Sequence, residues 1–376
     1  MTPHHSKRRG GAGGSEEGAP AASDTREEAG RQKGRGGDPA KREVACDTPP
    51  MRYRRLPGVG IEVSVIGFGC WAIGKTYWGE DVRDERSIAA IHAALDQGVT
   101  LFDTAPLYGH GHADALLRRA LGRRIHELVV ATKVGVRWEG TGGHALSDLS
   151  PRHLREDCEA SLRRLGLDRI ELLQVHWPCE RGTPLEQSLE ALTRLREEGK
   201  IRAFGLCNYG PEALGEARRL LGFEAGSGLA CLQTPYSMIR REFEHGLLAQ
   251  VAPDSATPAL GVLAYEALGR GLLTGKFDRA PRFPESDLRS RDERFSGSRF
   301  ARARPWLEAL RGLARRIDQP AAALALAWVL SRPGITATLA GAKGPEQVEQ
   351  NCKAAELFGR RRLVAHLEKV ANAFPG

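Results

Sequence analysis

The chain has no CxxC pair; its seven cysteines stand apart at positions 46, 70, 158, 179, 207, 231 and 352. An odd, unclustered set argues against a disulfide framework and a structural zinc site, so reduced thiols are expected. A long apolar run is missing too. The longest, 321–330, is about half of what a bilayer-spanning helix needs. No positively charged start leads into an apolar stretch, so no secretory signal is expected. These absences predict a cytoplasmic protein without a membrane span. With 376 residues, 41% hydrophobic and 27% charged, the chain has material for one large domain or two small ones.

Residues 1–50 contain no Phe, Trp or Tyr and are dominated by Gly, Pro, Ser and charged residues. Such a segment buries too little apolar surface to offset its ordering entropy, so a disordered extension is expected there, with the folded domain at 51–376. Met51 is an alternative natural start, which would make the tail an artefact of start-codon choice. The tail carries nine basic and eight acidic residues, and the rest 46 and 39, so it does not explain the formal charge of +8. RRGG at 8–11 and GRGG at 34–37 are like runs in RNA-binding tails, but no aromatic side chain is there to stack bases. A nucleic-acid partner is therefore not expected; unchanged nucleic-acid affinity after removal of residues 1–50 would exclude the tail from such a role.

What is present is an alternation. Short apolar runs end at VSVIGFG (63–69), VTLFD (99–103), ELVVATK (127–133), IELLQVH (170–176), IRAFGL (201–206), ACLQT (230–234), ALGVLAY (259–265) and ITATLAG (335–341). They are too short for helices and read as strands buried on both faces. Between them lie helical patterns. Residues 83–97 repeat Ile88, Ile91, Ala94 and Leu95 and stop at Gly98; Ser150-Pro151 opens another that closes at Gly166. Residues 184–198, 211–221, 305–317 and 345–357 also begin at a proline, and 321–330 is apolar on every side, as a buried helix would be. Eight such units fit a parallel (β/α)8 TIM barrel or an open doubly wound sheet. The open sheet should carry GxGxxG after its first strand, and GFGCWAIG has no such turn. The barrel is favoured, and its chemistry belongs at the C-terminal ends of strands.

Four polar residues stand there: Asp103, with Tyr108 in the following loop, then Lys133 and His176. Each alone reads as a cap, a solvated tip or a satisfied partner. Together, at three successive strand ends, they form a proton-transfer set. A phenol has an ordinary pKa near 10, too high for an efficient donor at neutral pH. An ammonium favours the phenolate, a carboxylate holds that ammonium, and an imidazole orients a carbonyl oxygen.

FDTAPLYGHG, ATK, QVHWP, GLCNY, LGRGLLTGKF and GAKGPEQVEQN, in that order, resemble the signature blocks of the aldo-keto reductases, barrel enzymes dependent on NAD(P)H. The resemblance spans about 53–374. It implies Tyr108 as general acid, Lys133 and Asp103 as its tuners, and His176 as the group positioning the substrate. Cys207, where serine is commoner, Asn208 and Gln233 match the residues that hold the nicotinamide carboxamide, and Tyr265 the aromatic that stacks on its ring. Leu268, Gly269 and Arg270 fall at the pyrophosphate. Gly341, Ala342, Lys343, Gln347 and Asn351 fall at the 2′-phosphate and adenine. Two departures matter. Glu266-Ala267 replaces a common Ser-Pro and puts a carboxylate near the pyrophosphate, to be paired with Arg270 or Lys276. Gln347 stands where many members have an arginine, with Lys343 as the compensating cation, so NADP(H) is expected ahead of NAD(H).

Trp71, Trp78 and Trp177 are the expected substrate contacts; Trp138 fits loop packing nearly as well as the pocket. His110 and His112 have metal-like spacing without an evident carboxylate or thiolate partner, so no metal is expected. Segment 277–304, rich in Arg, Phe and Pro, reads equally as a lid or a mobile surface loop. The expected activity is reduction of a small-molecule aldehyde or ketone, sugars included, reversible as alcohol oxidation. The resemblance also admits a cofactor-binding regulatory subunit of a larger assembly, which low turnover beside tight cofactor binding would favour.

Overall fold

Strands buried on both faces leave only their ends for polar side chains, and the architecture follows from that. The computed structural model describes residues 51–75, 77–78, 82–138, 145–222, 226–252 and 259–375. The disorder expected for residues 1–50 lies outside them. Eight strands form the barrel: β1 (Ile66–Gly69), β2 (Leu101–Asp103), β3 (Val129–Val134), β4 (Ile170–Val175), β5 (Ile201–Cys207), β6 (Leu229–Pro235), β7 (Gly261–Tyr265) and β8 (Ile335–Ala340). Every neighbouring pair is parallel, and β8 closes onto β1 with Thr338 opposite Ile66 and Ala340 opposite Phe68.

Helices alternate with the strands: α1 (Asp84–Asp96), α2 (His112–Leu121), α3 (Pro151–Leu165), α4 (Leu185–Glu197), α5 (Pro211–Leu220), α6 (Leu247–Val251), α7 (Gly297–Arg316), α8 (Ala321–Leu330), α9 (Pro345–Cys352), α10 (Ala354–Leu357) and α11 (Arg361–Asn372). All ten residues of α8 are buried. None of the described helices is long and apolar enough to cross a membrane.

Several local expectations change. The run 63–69 is not one strand. Ile61–Ser64 pairs antiparallel with Tyr53–Leu56 in a hairpin, and only β1 enters the barrel. The turning point is Ser64, whose Oγ donates to the Ile66 carbonyl at 2.7 Å and accepts from the Thr100 N–H at 3.0 Å. Leu56, Ile61 and Val63 of the hairpin then pack with the inward residues Leu101, Ala131, Leu172, Ala203, Leu263 and Ala337, which plugs the barrel interior. At Gly67 a Cβ would sit 2.7 Å from Leu339 Cδ2, so this interior position has no room for a side chain.

The helix expected at 305–317 begins at Gly297, with Pro305 inside it. A proline removes one main-chain donor, yet Phe300 and Ala303 before it bury on the same side as Trp306, Leu307 and Leu310 after it. The pattern at 345–357 is broken at Lys353 into α9 and α10.

Candidate functional site

The four polar strand-end residues converge at the C-terminal rim. Lys133 is 1% exposed and Asp103 3%. The Lys133 Nζ donates to Asp103 Oδ1 at 2.6 Å, to the Thr104 carbonyl at 3.0 Å and to Tyr108 Oη at 3.2 Å. Burial would push the ammonium down, but Asp103 and then Tyr108 more than offset it, and the group is held above its ordinary value. Tyr108 behaves differently from the sequence expectation. Burial pushes its phenol up, and the Lys133 ammonium offsets only part of that. Desolvation of a phenolate therefore outweighs a cation at 3.2 Å, and the phenol stays protonated. The Tyr108 backbone is packed against Gly74, where a Cβ would lie 2.8 Å from its carbonyl carbon.

His176 caps β4 with its ring stacked on Trp177, centroids 4.1 Å apart, and edge-on to Tyr108 at 6.1 Å. Burial, then Lys133, depresses its imidazolium well below the ordinary range, so the ring is neutral. Its Nδ1 is buried without a hydrogen-bond partner among the described residues, and so is the Trp78 indole Nε1. Both residues line one cavity of about 610 Å³. Buried polar atoms left unpaired are costly, and both of these belong to residues that line the one cavity.

Asp103, Tyr108, His176, Trp71, Trp78 and Trp177 line this cavity, as do Asn208, Gln233 and Tyr265. Further along the wall come Glu266, Leu268 and Arg270, then Gly341, Lys343, Gln347 and Asn351. Three expected contacts do not reach it. Lys133 lies beneath Tyr108, Gly269 is buried in its own turn, and Cys207 is sealed behind Gln174, its Sγ 3.6 Å from Gln174 Oε1. Cys207 faces inward because β5 alternates its side chains, which turns this one into the barrel core. Trp138 also lies off the cavity, packed on His110 with centroids 5.1 Å apart.

Asn208 takes a left-handed φ of 63°. Its amide donates to the His176 carbonyl at 3.0 Å and accepts from the Tyr265 hydroxyl at 2.8 Å. Glu266 (φ 52°) and Arg270 (φ 56°) share that unfavourable conformation, which concentrates backbone strain around the cavity. The Glu266 carboxylate is buried and bound by Arg270 at 2.7 Å, one of the two partners expected, and also by Arg240 at 3.2 Å. Segment 277–295 is folded across the rim. Phe277, Phe283 and Phe295 meet edge-on, the Leu288 N–H donates to the Tyr77 carbonyl at 3.0 Å, and Arg289 lies over the Phe283 ring at 4.2 Å. Lys343 Nζ donates to the Trp78 carbonyl at 2.8 Å and its N–H to Gln347 Oε1 at 2.8 Å.

His112 has the carboxylate that the sequence did not reveal, Asp84 at 3.0 Å, with Lys75 on the same oxygen at 2.9 Å. Among the described residues no group of three or more metal-ligating side chains is assembled. Sequence reasoning also missed Gln174 and Arg240. Gln174 stood inside the QVHWP block as the inward-facing residue two before His176, which was the available signal.

The profile of the Aldo/keto reductase family matches residues 65–369. The chain belongs to the aldo-keto reductases. These oxidoreductases use nicotinamide cofactors. The chain is 37% identical over 303 residues to the aldo-keto reductase YhdN of Bacillus subtilis, covering 80% of this chain and 87% of that one. It is 32% identical over 319 residues to an NADH-specific methylglyoxal reductase of Escherichia coli, covering 82% and 94%. Among solved structures, a glycerol dehydrogenase from Gluconobacter oxydans superposes with a TM-score of 0.75 at 34% identity, covering 86% of this chain and 96% of that chain.

Proposed function

We propose that this aldo-keto reductase is an NADP(H)-dependent carbonyl reductase, reversible as an alcohol dehydrogenase, with Tyr108 as its general acid. One observation carries the reading: a protonated phenol lies 3.2 Å from a buried ammonium beside a neutral imidazole on the wall of one cavity. When bound, the dinucleotide supplies the hydride. The residues present fit it, because the cavity is of ligand size and runs on from His176 to Lys343 and Gln347 at the start of α9, where Gly344 offers no capping side chain. Asn208 and Gln233 would hold its carboxamide and Tyr265 its ring, while Leu268 and Arg270 would flank the pyrophosphate. Gly341, Lys343, Gln347 and Asn351 would hold the adenosine end.

The remaining steps belong to the side chains. His176, neutral, donates a hydrogen bond to the carbonyl oxygen and orients it. Tyr108 gives its hydroxyl proton to that oxygen as negative charge develops. The phenolate left behind is then stabilised by Lys133, whose charge Asp103 maintains. A high phenol pKa in the resting site suits this order, because the donor stays loaded until the oxygen becomes basic. Trp71, Trp78 and Trp177 wall the substrate end, which fits a small uncharged carbonyl compound.

Lys343 supports NADP(H), since it offers a cation beside an uncapped helix start. The test compares dissociation constants for NADPH and NADH, then initial rates with methylglyoxal and with glycerol as probes. Tighter NADPH binding that is lost in Lys343→Ala, with turnover of either probe, is expected. Equal affinities would remove the argument from Lys343.

A further inference from the structure

Gln174 sits on β4 with no exposed surface, and its amide joins four strands. Its Nε2 donates to Asp103 Oδ2 at 3.1 Å. Its Oε1 accepts from Gln233 Nε2 at 3.1 Å and faces the thiols of Cys207 at 3.6 Å and Cys231 at 3.8 Å. This surround fixes which way the amide points. Burial keeps both thiols protonated, so three donors converge on Oε1 while a carboxylate oxygen faces Nε2. A flipped amide would set its NH2 against the Gln233 NH2 and its oxygen against Asp103, losing every contact at once.

We infer that Gln174 is a positioning residue for the proton relay: it holds the Asp103 carboxylate so that Oδ1 fixes Lys133 beside Tyr108. The inference rests on the carbonyl-reductase reading above. Asp103 Oδ2 has two side-chain donors, Gln174 and Gln233, the latter at 2.8 Å. Gln233 lines the cavity and is the group assigned to the dinucleotide carboxamide. Gln174 is thus the donor to Oδ2 that stays off the cavity wall, with no role assigned toward the dinucleotide. Cys207 in place of serine takes on meaning here, as one of the donors that orient the amide.

The charged and titratable groups around this amide are Asp103 from β2, Lys133 from β3, Cys207 from β5 and Cys231 from β6, with His176 two residues along its own strand. The experiment measures kcat, KM and their pH profiles for the full chain, for Gln174→Met and Gln174→Glu, with Tyr108→Phe alongside. Gln174→Met keeps the shape and removes the amide; kcat should fall roughly ten- to a hundredfold, the span expected for one hydrogen bond to a charged group, with substrate KM little changed. Gln174→Glu places a second carboxyl beside Asp103. Protonated, it donates as the amide did; ionised, it repels, so activity should return as pH falls and vanish as pH rises. A merely structural role predicts no such pH-dependent rescue. Should Gln174→Met fail to fold, Gln174→Glu carries the test alone, its low-pH rate being read against its own high-pH rate. Wild-type kcat in Gln174→Met, or a flat loss across pH in Gln174→Glu, would overturn the inference. A wild type that reduces no carbonyl compound would overturn the underlying reading instead, and an active wild type with inert Tyr108→Phe and normal Gln174 variants would overturn the inference alone.

Discussion

Replacing Lys133 with methionine leaves the Asp103 carboxylate buried without its cation, at a position 3% exposed. Breaking a buried ion pair from one side costs about 3–5 kcal/mol, a large part of the roughly 5–15 kcal/mol that holds a domain folded. Removing both charges is far milder, since a buried pair repays little more than its own desolvation. Lys133→Met/Asp103→Asn should therefore recover most of the stability, its amide oxygen still accepting from Gln174 and Gln233. Activity should not recover. At the Lys133–Tyr108 distance of 3.2 Å, a phenolate gains about 5 kcal/mol from the ammonium with an effective dielectric near 20, equal to three to four orders of magnitude in rate. Urea unfolding reads the first quantity and NADPH oxidation the second. A double variant as unstable as the single one, or one that turns over near the wild-type rate, would refute this account of the pair.

Two other predictions concern the same rim. His176 stays neutral because burial and Lys133 depress its imidazolium, so kcat/KM should show no limb between about pH 5.5 and 8 that disappears in His176→Asn; such a limb would contradict the assignment. The linkage sign follows: below about pH 6.5 the unfolded chain binds a proton that folded His176 refuses, so this residue lowers stability as pH falls, measurable as a smaller difference between wild type and His176→Asn at pH 5 than at pH 8. Gly74→Ala would set a Cβ 2.8 Å from the Tyr108 backbone, so kcat should drop at least tenfold with the fold retained by circular dichroism; an unaffected rate would mean the loop yields freely.

The eight strands were legible because each is a short apolar run set between helical patterns, and three of them close on the polar residues Asp103, Lys133 and His176. What escaped was whatever depends on partners distant in sequence. The hairpin was hidden since only Val65 separates Ile61–Ser64 from β1, with no glycine or proline to mark the break between them, and its partner strand YRRL has no strand-like alternation. Pro305 resembled a helix start, whereas the burial of Phe300 and Ala303 shows the helix already under way. Arg270 as a partner of Glu266 could be read from a spacing of four residues; Arg240 could not, because it comes from the loop after β6. Gln174 is the clearest case, an amide whose meaning lies in Asp103, Gln233, Cys207 and Cys231. The direction of the Tyr108 shift was missed for a related reason: residue types announce the ammonium, but only the fold shows how deeply the phenol is buried.

The most direct test follows NADPH oxidation over small aldehydes, ketones and sugars for the wild type beside Tyr108→Phe, which keeps the ring and loses the proton donor. The account predicts turnover by the wild type and a fall of orders of magnitude in the variant, with NADPH affinity unchanged. Equal rates in both would contradict it, and so would tight NADPH binding with no turnover in either.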